Sequence, residues 1–144
     1  MAAAERLYTP ELLALAVELA EWPPIETAPL HAEVRSPTCG STLAMDLKTD
    51  DQGRIERLGM RVRACAVGQA SAAVFARHAC RHGEREIALA LAKLEAWLED
   101  QGPAPEWPGL ALIAAARDYP ARHGAMLLPW KAALAALSSA RPAG

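Results

Sequence analysis

Two of the three cysteines in the chain are placed where they could bind a metal or carry sulfur. Cys39 lies in the segment Thr38-Cys39-Gly40-Ser41, which has the composition of a tight turn, and Cys65 directly precedes an Ala-rich stretch. Thiolates bind zinc and iron, but two of them do not complete a structural zinc site, which is almost always four-coordinate. An odd number of cysteines in a short chain argues against a disulfide framework. The alternative is that both are inert side chains near loops.

The other candidate ligands have simpler structural explanations. The Ala-rich stretch predicts a helix from Ala66 to about His82, in which Cys80 is several turns from Cys65 and cannot share a site with it. We interpret Cys80 as a buried structural cysteine. His78 and His82 are spaced i, i+4 on the same predicted helix, but no third ligand accompanies them. An exposed pair near a helix C-terminus is the favoured interpretation, because histidine complements the helix dipole there.

A change in hydrophobic period divides the first half of the chain into a helix and a sheet. Thr9 and Pro10 predict the start of a helix, and Trp22-Pro23-Pro24 predicts its end. Beyond this helix, apolar residues alternate with polar ones, which is typical of strands with one buried and one solvent-exposed face. The alternating runs cover residues 30–35, 43–48 and 57–64, with a hairpin turn at Asp50-Asp51-Gln52-Gly53.

This order of strands would bring the two cysteines together. In a simple meander the first and third strands run in the same direction, so both end at the same edge of the sheet. Cys39 follows the first strand and Cys65 follows the third, so both thiols are expected at that edge. Cys65 also precedes a helix N-terminus, whose N–H groups and dipole favour a thiolate.

The second half of the chain is predicted to be helical. Apolar residues at helical spacing indicate helices near residues 87–98 and 110–117, and a last helix after Pro120, while Ser138–Gly144 is expected to fray. The predicted fold is therefore α+β, a small three-stranded antiparallel sheet covered on one face by helices. We expect residues 1–144 to form one domain.

Charge and hydropathy exclude several classes of partner. The net charge of −2 and the pI near 6.1 do not suit a nucleic-acid-binding protein. The basic stretch from Arg54 to Arg63 alternates with apolar residues, so we interpret it as the wet face of a strand rather than a phosphate-binding patch. No apolar run is long enough to span a bilayer, and the N-terminus does not resemble a secretory signal. We therefore expect a cytoplasmic protein that binds neither nucleic acid nor membrane.

Four segments of the chain carry motifs of one known family. They are Tyr8-Thr9-Pro10-Glu11-Leu12, Ser36-Pro37-Thr38-Cys39-Gly40-Ser41, Cys65-Ala66-Val67-Gly68-Gln69-Ala70-Ser71 and Arg122-His123-Gly124-Ala125-Met126-Leu127-Leu128-Pro129-Trp130. In this order they resemble the NifU N-terminal family, the IscU- and SufU-type scaffolds on which iron–sulfur clusters are assembled. The resemblance runs from about Tyr8 to Leu137 and implies a SufE/NifU-like fold with its ligands at one end of the sheet.

The resemblance also implies a ligand set, of which this chain retains half. The family uses the Cys and Asp of a Cys-Gly-Asp turn, the Cys that opens a helix, and a Cys at the start of the last helix. Cys39 and Cys65 match two of these positions. Ser41, a poor ligand, stands in place of the Asp, and Ala125, which has no donor atom, stands in place of the last Cys. His123 is the nearest spare donor, so His123 and Ser41 are weak additional candidates.

The function implied by the resemblance is that of a non-enzymatic scaffold or carrier. It would bind iron or a [2Fe–2S] cluster through Cys39 and Cys65, and a homodimer of two such sites would restore a four-cysteine shell. The implied partners are a cysteine desulfurase and cluster-recipient proteins. Two alternatives stay open: a zinc-binding or persulfide-accepting protein that takes sulfur from the desulfurase, and a degenerate, metal-free protein-interaction module.

Overall fold

The chain runs through a helix, three strands and a series of helices, in the predicted order. The computed structural model describes residues 7–37 and 39–140. The α-helices are α1 (Pro10–Glu18), α2 (Ala66–His78), α3 (Glu84–Leu98) and α4 (His123–Ser138), and the strands are β1 (Leu30–Arg35), β2 (Thr42–Thr49) and β3 (Ile55–Arg63). Short 3₁₀ helices cover Leu19–Glu21, Leu110–Asp118 and Pro120–Arg122. Thr38 and the residues 141–144 of the expected frayed tail lie outside the described residues.

The three strands form an antiparallel meander in the order β1-β2-β3. Thr42 at the start of β2 pairs with Arg35 at the end of β1 and with Arg63 at the end of β3. Leu43, Met45 and Leu47 alternate with these outward positions and are fully buried. One face of the sheet is therefore packed against helices, and the predicted α+β fold is confirmed.

An aromatic cluster lies in the core between α2, α4 and the segment before the long 3₁₀ helix. Trp107 stacks on Phe75 with ring centroids 5.3 Å apart, and Trp130 packs edge-on against both rings at 5.4 Å. The indole N–H of Trp107 donates a hydrogen bond of 3.0 Å to the carbonyl of Val74. The Pro-rich segment around Trp107 is thus anchored in the core, where the buried ring has its polar atom satisfied.

Helix α2 is held against the helices on either side of it. The buried hydroxyl of Ser71 donates to the carbonyl of Met126 in α4 at 2.6 Å. On the other side, Arg77 makes two hydrogen bonds, of 2.6 and 2.5 Å, to the carboxylate of Glu18 in α1. The small side chains of α2 permit these close approaches, since Ala and Gly keep the helix surface narrow.

Helix α2 ends at His78, one turn earlier than the sequence predicts. The next residues pair with the start of β3: the N–H of Arg81 donates to Ile55 at 2.8 Å, and the N–H of Ile55 donates to His82 at 2.9 Å. This long-range pairing replaces the last helical turn. The interpretation of His78 and His82 as neighbours on one helix is therefore wrong, and so is that of Cys80 as a buried residue, since it is exposed.

The segment after α1 wraps over the free edge of β3 onto the outer face of the sheet. The N–H of Met60 donates to the carbonyl of Trp22 at 3.0 Å, and the N–H of Ile25 donates to the Asp46 carboxylate at 2.9 Å. Gly59 is buried beneath this segment, although the alternating pattern predicts it on a wet face. The covering segment protects an edge strand that would otherwise be open to pairing.

None of the described helices is long and apolar enough to cross a bilayer.

Substitution of Gly59 tests the close approach of the segment after α1 to β3. A Cβ at this position would lie 2.2 Å from the carbonyl oxygen of Pro23, a contact that backbone must move to relieve. We expect Gly59→Ala to lower the free energy of unfolding by about 1–3 kcal/mol, measured by urea denaturation. Gly102→Ala is the matched control, because its nearest contact would be at 3.8 Å, and it should change stability by less than about 0.5 kcal/mol. Equal stability of the two variants would contradict this packing.

Candidate functional site

Three segments that are distant in sequence meet at one end of the sheet. The pairing of Thr42 with both Arg35 and Arg63 places the β1–β2 loop, which contains Cys39, at the same end as Cys65. The start of α4 is the third segment, as the contacts described below show. The structure therefore brings the two predicted cysteines to a common edge, together with a helix start that sequence spacing alone did not locate.

Cys39 is presented on a tightly closed loop. The N–H of Ser36 donates to the carbonyl of Ser41 at 2.8 Å, and the N–H of Gly40 donates to the carbonyl of Ser36 at 2.9 Å. Both serines are buried, at 2% and 8% exposure, whereas Cys39 is exposed. The thiol lies 3.1 Å from the hydroxyl of Ser41. The loop thus holds an accessible thiol over two buried hydroxyl groups.

The surroundings of Cys39 favour its thiolate form. Hydrogen bonds from the hydroxyls of Ser36 and Ser41, the backbone N–H of Ser41 and the positive charge of Arg122 hold the pKa of the Cys39 thiol below its ordinary value, against a smaller opposing effect of burial. Hydrogen bonding to the charged form and a nearby opposite charge both act in this direction. Arg122 is the residue that directly precedes α4.

Cys65 occupies the position before the first turn of α2. Its carbonyl accepts the first helical hydrogen bond, from Gln69 at 3.0 Å, and the Gln69 side chain donates to the carbonyl of Ala64 at 2.9 Å. The thiol itself makes no capping hydrogen bond. Cys65 is half-buried against the edge of the core, so its sulfur is held on a rigid helix start rather than on a mobile loop.

Ala125 packs against the first turn of α2, the helix that follows Cys65. It is fully buried, and a Cβ added to Gly68 would lie 3.2 Å from the Ala125 Cβ and 2.6 Å from the Ala64 Cβ. Glycine at position 68 therefore leaves room for both alanines. Ala125 has no donor atom, and its correspondence to a ligand position of the family stays a prediction from the resemblance.

His123 and Ser41, the weak additional candidates, both have other partners. The His123 Nε2 atom lies 2.6 Å from the carbonyl of Arg117, so this nitrogen carries the proton and donates it. Only Nδ1 is left with a lone pair. The Ser41 hydroxyl is engaged with Cys39. These hydrogen bonds form without a metal, and the role of His123 and Ser41 as ligands stays a prediction.

The donor set does not complete a metal site within one chain. Among residues 7–37 and 39–140, no group of three or more His, Cys, Asp or Glu side chains is close enough together to hold an ion. Cys39 and Cys65 are the thiols at this edge, while Cys80 follows the far end of α2 and contacts the carbonyl of Glu56 at 3.4 Å. Partial burial raises the pKa of the Cys80 thiol, the opposite of the effect at Cys39.

The thiols of Cys39 and Cys80 should therefore differ in how their reactivity depends on pH. We expect iodoacetamide labelling of Cys39 to reach its midpoint below the ordinary thiol pKa, and that of Cys80 above it, because the thiolate is the nucleophile. Mass spectrometry of each cysteine-containing peptide over a pH series measures both midpoints. Ser41→Ala should raise the Cys39 midpoint, and Ser138→Ala, at the other end of α4, should not. A Cys39 midpoint at or above that of Cys80 would overturn this description.

Comparison with known proteins was made by sequence and by structure. A scan against models of protein families found no match, and neither did a search of curated protein sequences. Among solved structures, the N-terminal part of a nitrogen-fixing NifU-like protein from Brucella abortus is 30% identical, with a TM-score of 0.84 over 95% of this chain and 96% of that one.

Two further structures share the fold at lower identity. A protein from the thermophilic Fervidobacterium islandicum AW-1, assigned as the iron–sulfur cluster assembly scaffold of the SUF system, is 22% identical, with a TM-score of 0.80 over 93% of this chain and 98% of that one. A hypothetical protein is also 22% identical, with a TM-score of 0.68 over 88% and 96% of the two chains. The identity and coverage of the Brucella match agree with the motifs in the sequence. The chain therefore belongs to the NifU N-terminal family, which includes the IscU- and SufU-type domains.

Proposed function

We propose that this protein is a scaffold or carrier in iron–sulfur cluster assembly that holds iron or a [2Fe–2S] cluster through Cys39 and Cys65. The observation that carries the proposal is the convergence of these two thiols at one end of the sheet. The likeness to two solved structures, of a NifU-like protein and of a SUF-system scaffold, supports the general role. The iron or cluster is cargo in this account rather than a resident cofactor.

Two thiolates supply only half of the shell that such cargo uses. Clusters of this type are held by four cysteines, and here Ser41 and Ala125 stand at the remaining family positions. The missing ligands must therefore come from outside the chain, either from a second copy or from a partner protein. A cluster held in this way is weakly retained by the isolated chain and is easily passed on, since removing ligands lowers metal affinity.

The environment of each thiol suits this task. Metal binding requires the thiolate, so the lowered pKa of Cys39 reduces the proton release that accompanies binding near neutral pH. Cys65 precedes a helix N-terminus, where free N–H groups and the dipole favour negative charge. Because Cys65 is fixed on a helix and Cys39 on a closed loop, the pair offers one rigid and one accessible ligand.

A second candidate function is sulfur acceptance from a cysteine desulfurase, and the exposed, low-pKa thiol of Cys39 favours it. In that step the Cys39 thiolate attacks the outer sulfur of the desulfurase persulfide. A new S–S bond forms on Cys39, the S–S bond of the donor breaks, and the donor cysteine leaves as a thiolate. Zinc could occupy the same thiolates between transfers. Both candidates imply a desulfurase and cluster-recipient proteins as partners.

We further propose that the protein acts in the cytoplasm and does not itself turn over a substrate as an enzyme. Cys39, Cys65 and Cys80 are all free thiols, which fits a reducing compartment. A SUF-system scaffold is among the structural relatives, and a site built on two thiolates suits holding cargo better than catalysing its conversion.

Anaerobic reconstitution with iron and sulfide tests the proposal. Wild-type protein should become coloured and bind about one iron per chain if a [2Fe–2S] cluster bridges two thiolate pairs. Cys39→Ser and Cys65→Ser should each abolish the colour, and Cys80→Ser should retain it as the matched control. Absorption spectra and iron analysis measure these outcomes, and native mass spectrometry identifies the source of the other ligands. A colourless, metal-free wild type would exclude the cluster role and favour the metal-free interaction module.

Ala125 offers a gain-of-function test. Ala125→Cys places a third thiol beside the first turn of α2, the helix that follows Cys65, and should slow the removal of bound iron by a chelator at least about tenfold. Ala125→Ser is the control, because it is close in size but cannot supply a thiolate. The rate of colour loss after adding the chelator measures the effect. If both variants release iron as fast as wild type, position 125 does not face the bound iron.

A further inference from the structure

The outer face of the sheet carries two arginines in its last row, beside the cysteines. Arg35 and Arg63 flank Thr42 in one cross-strand register, so their side chains project from the same face. Adjacent strands are about 4.8 Å apart, which separates the two backbone positions by roughly 10 Å. Both side chains are exposed. Arg122, which directly precedes α4, acts on Cys39 through its charge. We refer to Arg35, Arg63 and Arg122 as the arginine rim.

The two segments that carry the thiols contain no acidic residue close to them in sequence. Residues 34–45 and 60–70 include Arg35, Arg61 and Arg63 but neither Asp nor Glu, although the chain as a whole has a net charge of −2. These segments are therefore locally basic on a chain whose net charge is negative.

The two arginines of the outer face are available for an external partner. Arg61, one row further from the thiols, lies 3.8 Å from the Glu26 carboxylate. By contrast, neither Arg35 nor Arg63 is in ion-pair contact with any carboxylate of the described part of the chain. An exposed guanidinium presents several N–H donors in a planar fork that matches a carboxylate.

We propose that Arg35 and Arg63 dock an acidic segment of a different protein, one that presents clustered Asp or Glu side chains to this face. The basic area is short, since Glu33 and Asp46 lie in the next rows of the same face. Such an area suits a few carboxylates, whereas a nucleic-acid backbone needs a longer positive stripe. A second copy does not suit this outer face itself, because it would place Arg35 and Arg63 of one arginine rim directly against the same residues of the other.

The docking surface lies beside the thiols and does not include them, so it can be tested on the metal-free protein. The probe is a fluorescein-labelled ten-residue peptide of alternating Glu and Gly, with binding read by fluorescence anisotropy in low-salt buffer. We expect binding that weakens at least fivefold in the Arg35→Gln/Arg63→Gln double variant. It should also weaken steeply when the salt is raised to about 0.15 M, where the Debye length is about 8 Å.

Two control variants and a second probe test whether binding of the peptide depends on Arg35 and Arg63. Arg57→Gln and Arg85→Gln remove exposed arginines from the opposite end of the sheet and from the start of α3, and each should leave peptide binding unchanged. Three results would overturn the proposal: no binding of the peptide, an equal loss in the control variants, or tighter binding of a single-stranded oligonucleotide with the same number of charges. Self-association of the wild type that the double variant abolishes, measured by sedimentation, would also overturn it in favour of a second copy.

Discussion

The contact between α4 and the first turn of α2 holds the candidate site together. Gly68 lets the backbone of α4 approach so closely that the Cβ of Ala125 lies against it, and one turn later Ser71 donates to the carbonyl of Met126. The aromatic cluster of Phe75, Trp107 and Trp130 packs behind this contact. Because α4 is fixed in this way, its start reaches the end of the sheet where the strand register has already placed Cys39 and Cys65.

The electrostatics of this end follow from the same arrangement. The charge of Arg122 acts on Cys39 only because α4 begins near the β1–β2 loop, and the serine hydroxyls act because the loop closes on itself. Residues 34–45 and 60–70, which include the two thiols, contain no Asp or Glu. The loop around Cys39 thus stabilises the thiolate, the form of cysteine that binds metal.

The sequence predicted much of the fold because most of its signals are local. Alternating apolar residues located the three strands, and Thr9 caps α1 as expected, with the N–H of Leu12 donating to its hydroxyl at 3.1 Å. The two cysteines could be placed at one edge from the topology of a simple meander. The resemblance to the family then predicted that position 125 belongs beside them, and the structure places Ala125 against Gly68 in the first turn of α2.

The features that could not be predicted depend on long-range contacts. Pairing of Ile55 with Arg81 and His82 shortens α2 and exposes Cys80, and no local pattern around residue 80 signals it. The covering of Gly59 by the segment after α1 also depends on residues far apart in sequence. The effect of the Arg122 charge on Cys39 also depends on residues that are far apart in sequence. The sequence indicated it only indirectly, through a basic residue next to the start of the last helix.

The central claim is that Cys39 and Cys65 hold the same ion, and an anaerobic cobalt(II) titration tests it most directly. Cobalt substitutes for iron or zinc at thiolate sites, and its sulfur-to-metal charge-transfer absorption reports bound thiolates. The account predicts a saturable band in wild type that is lost in both Cys39→Ser and Cys65→Ser and unchanged in Cys80→Ser. A band that survives either of the first two substitutions at full strength, or that depends on Cys80, would contradict it.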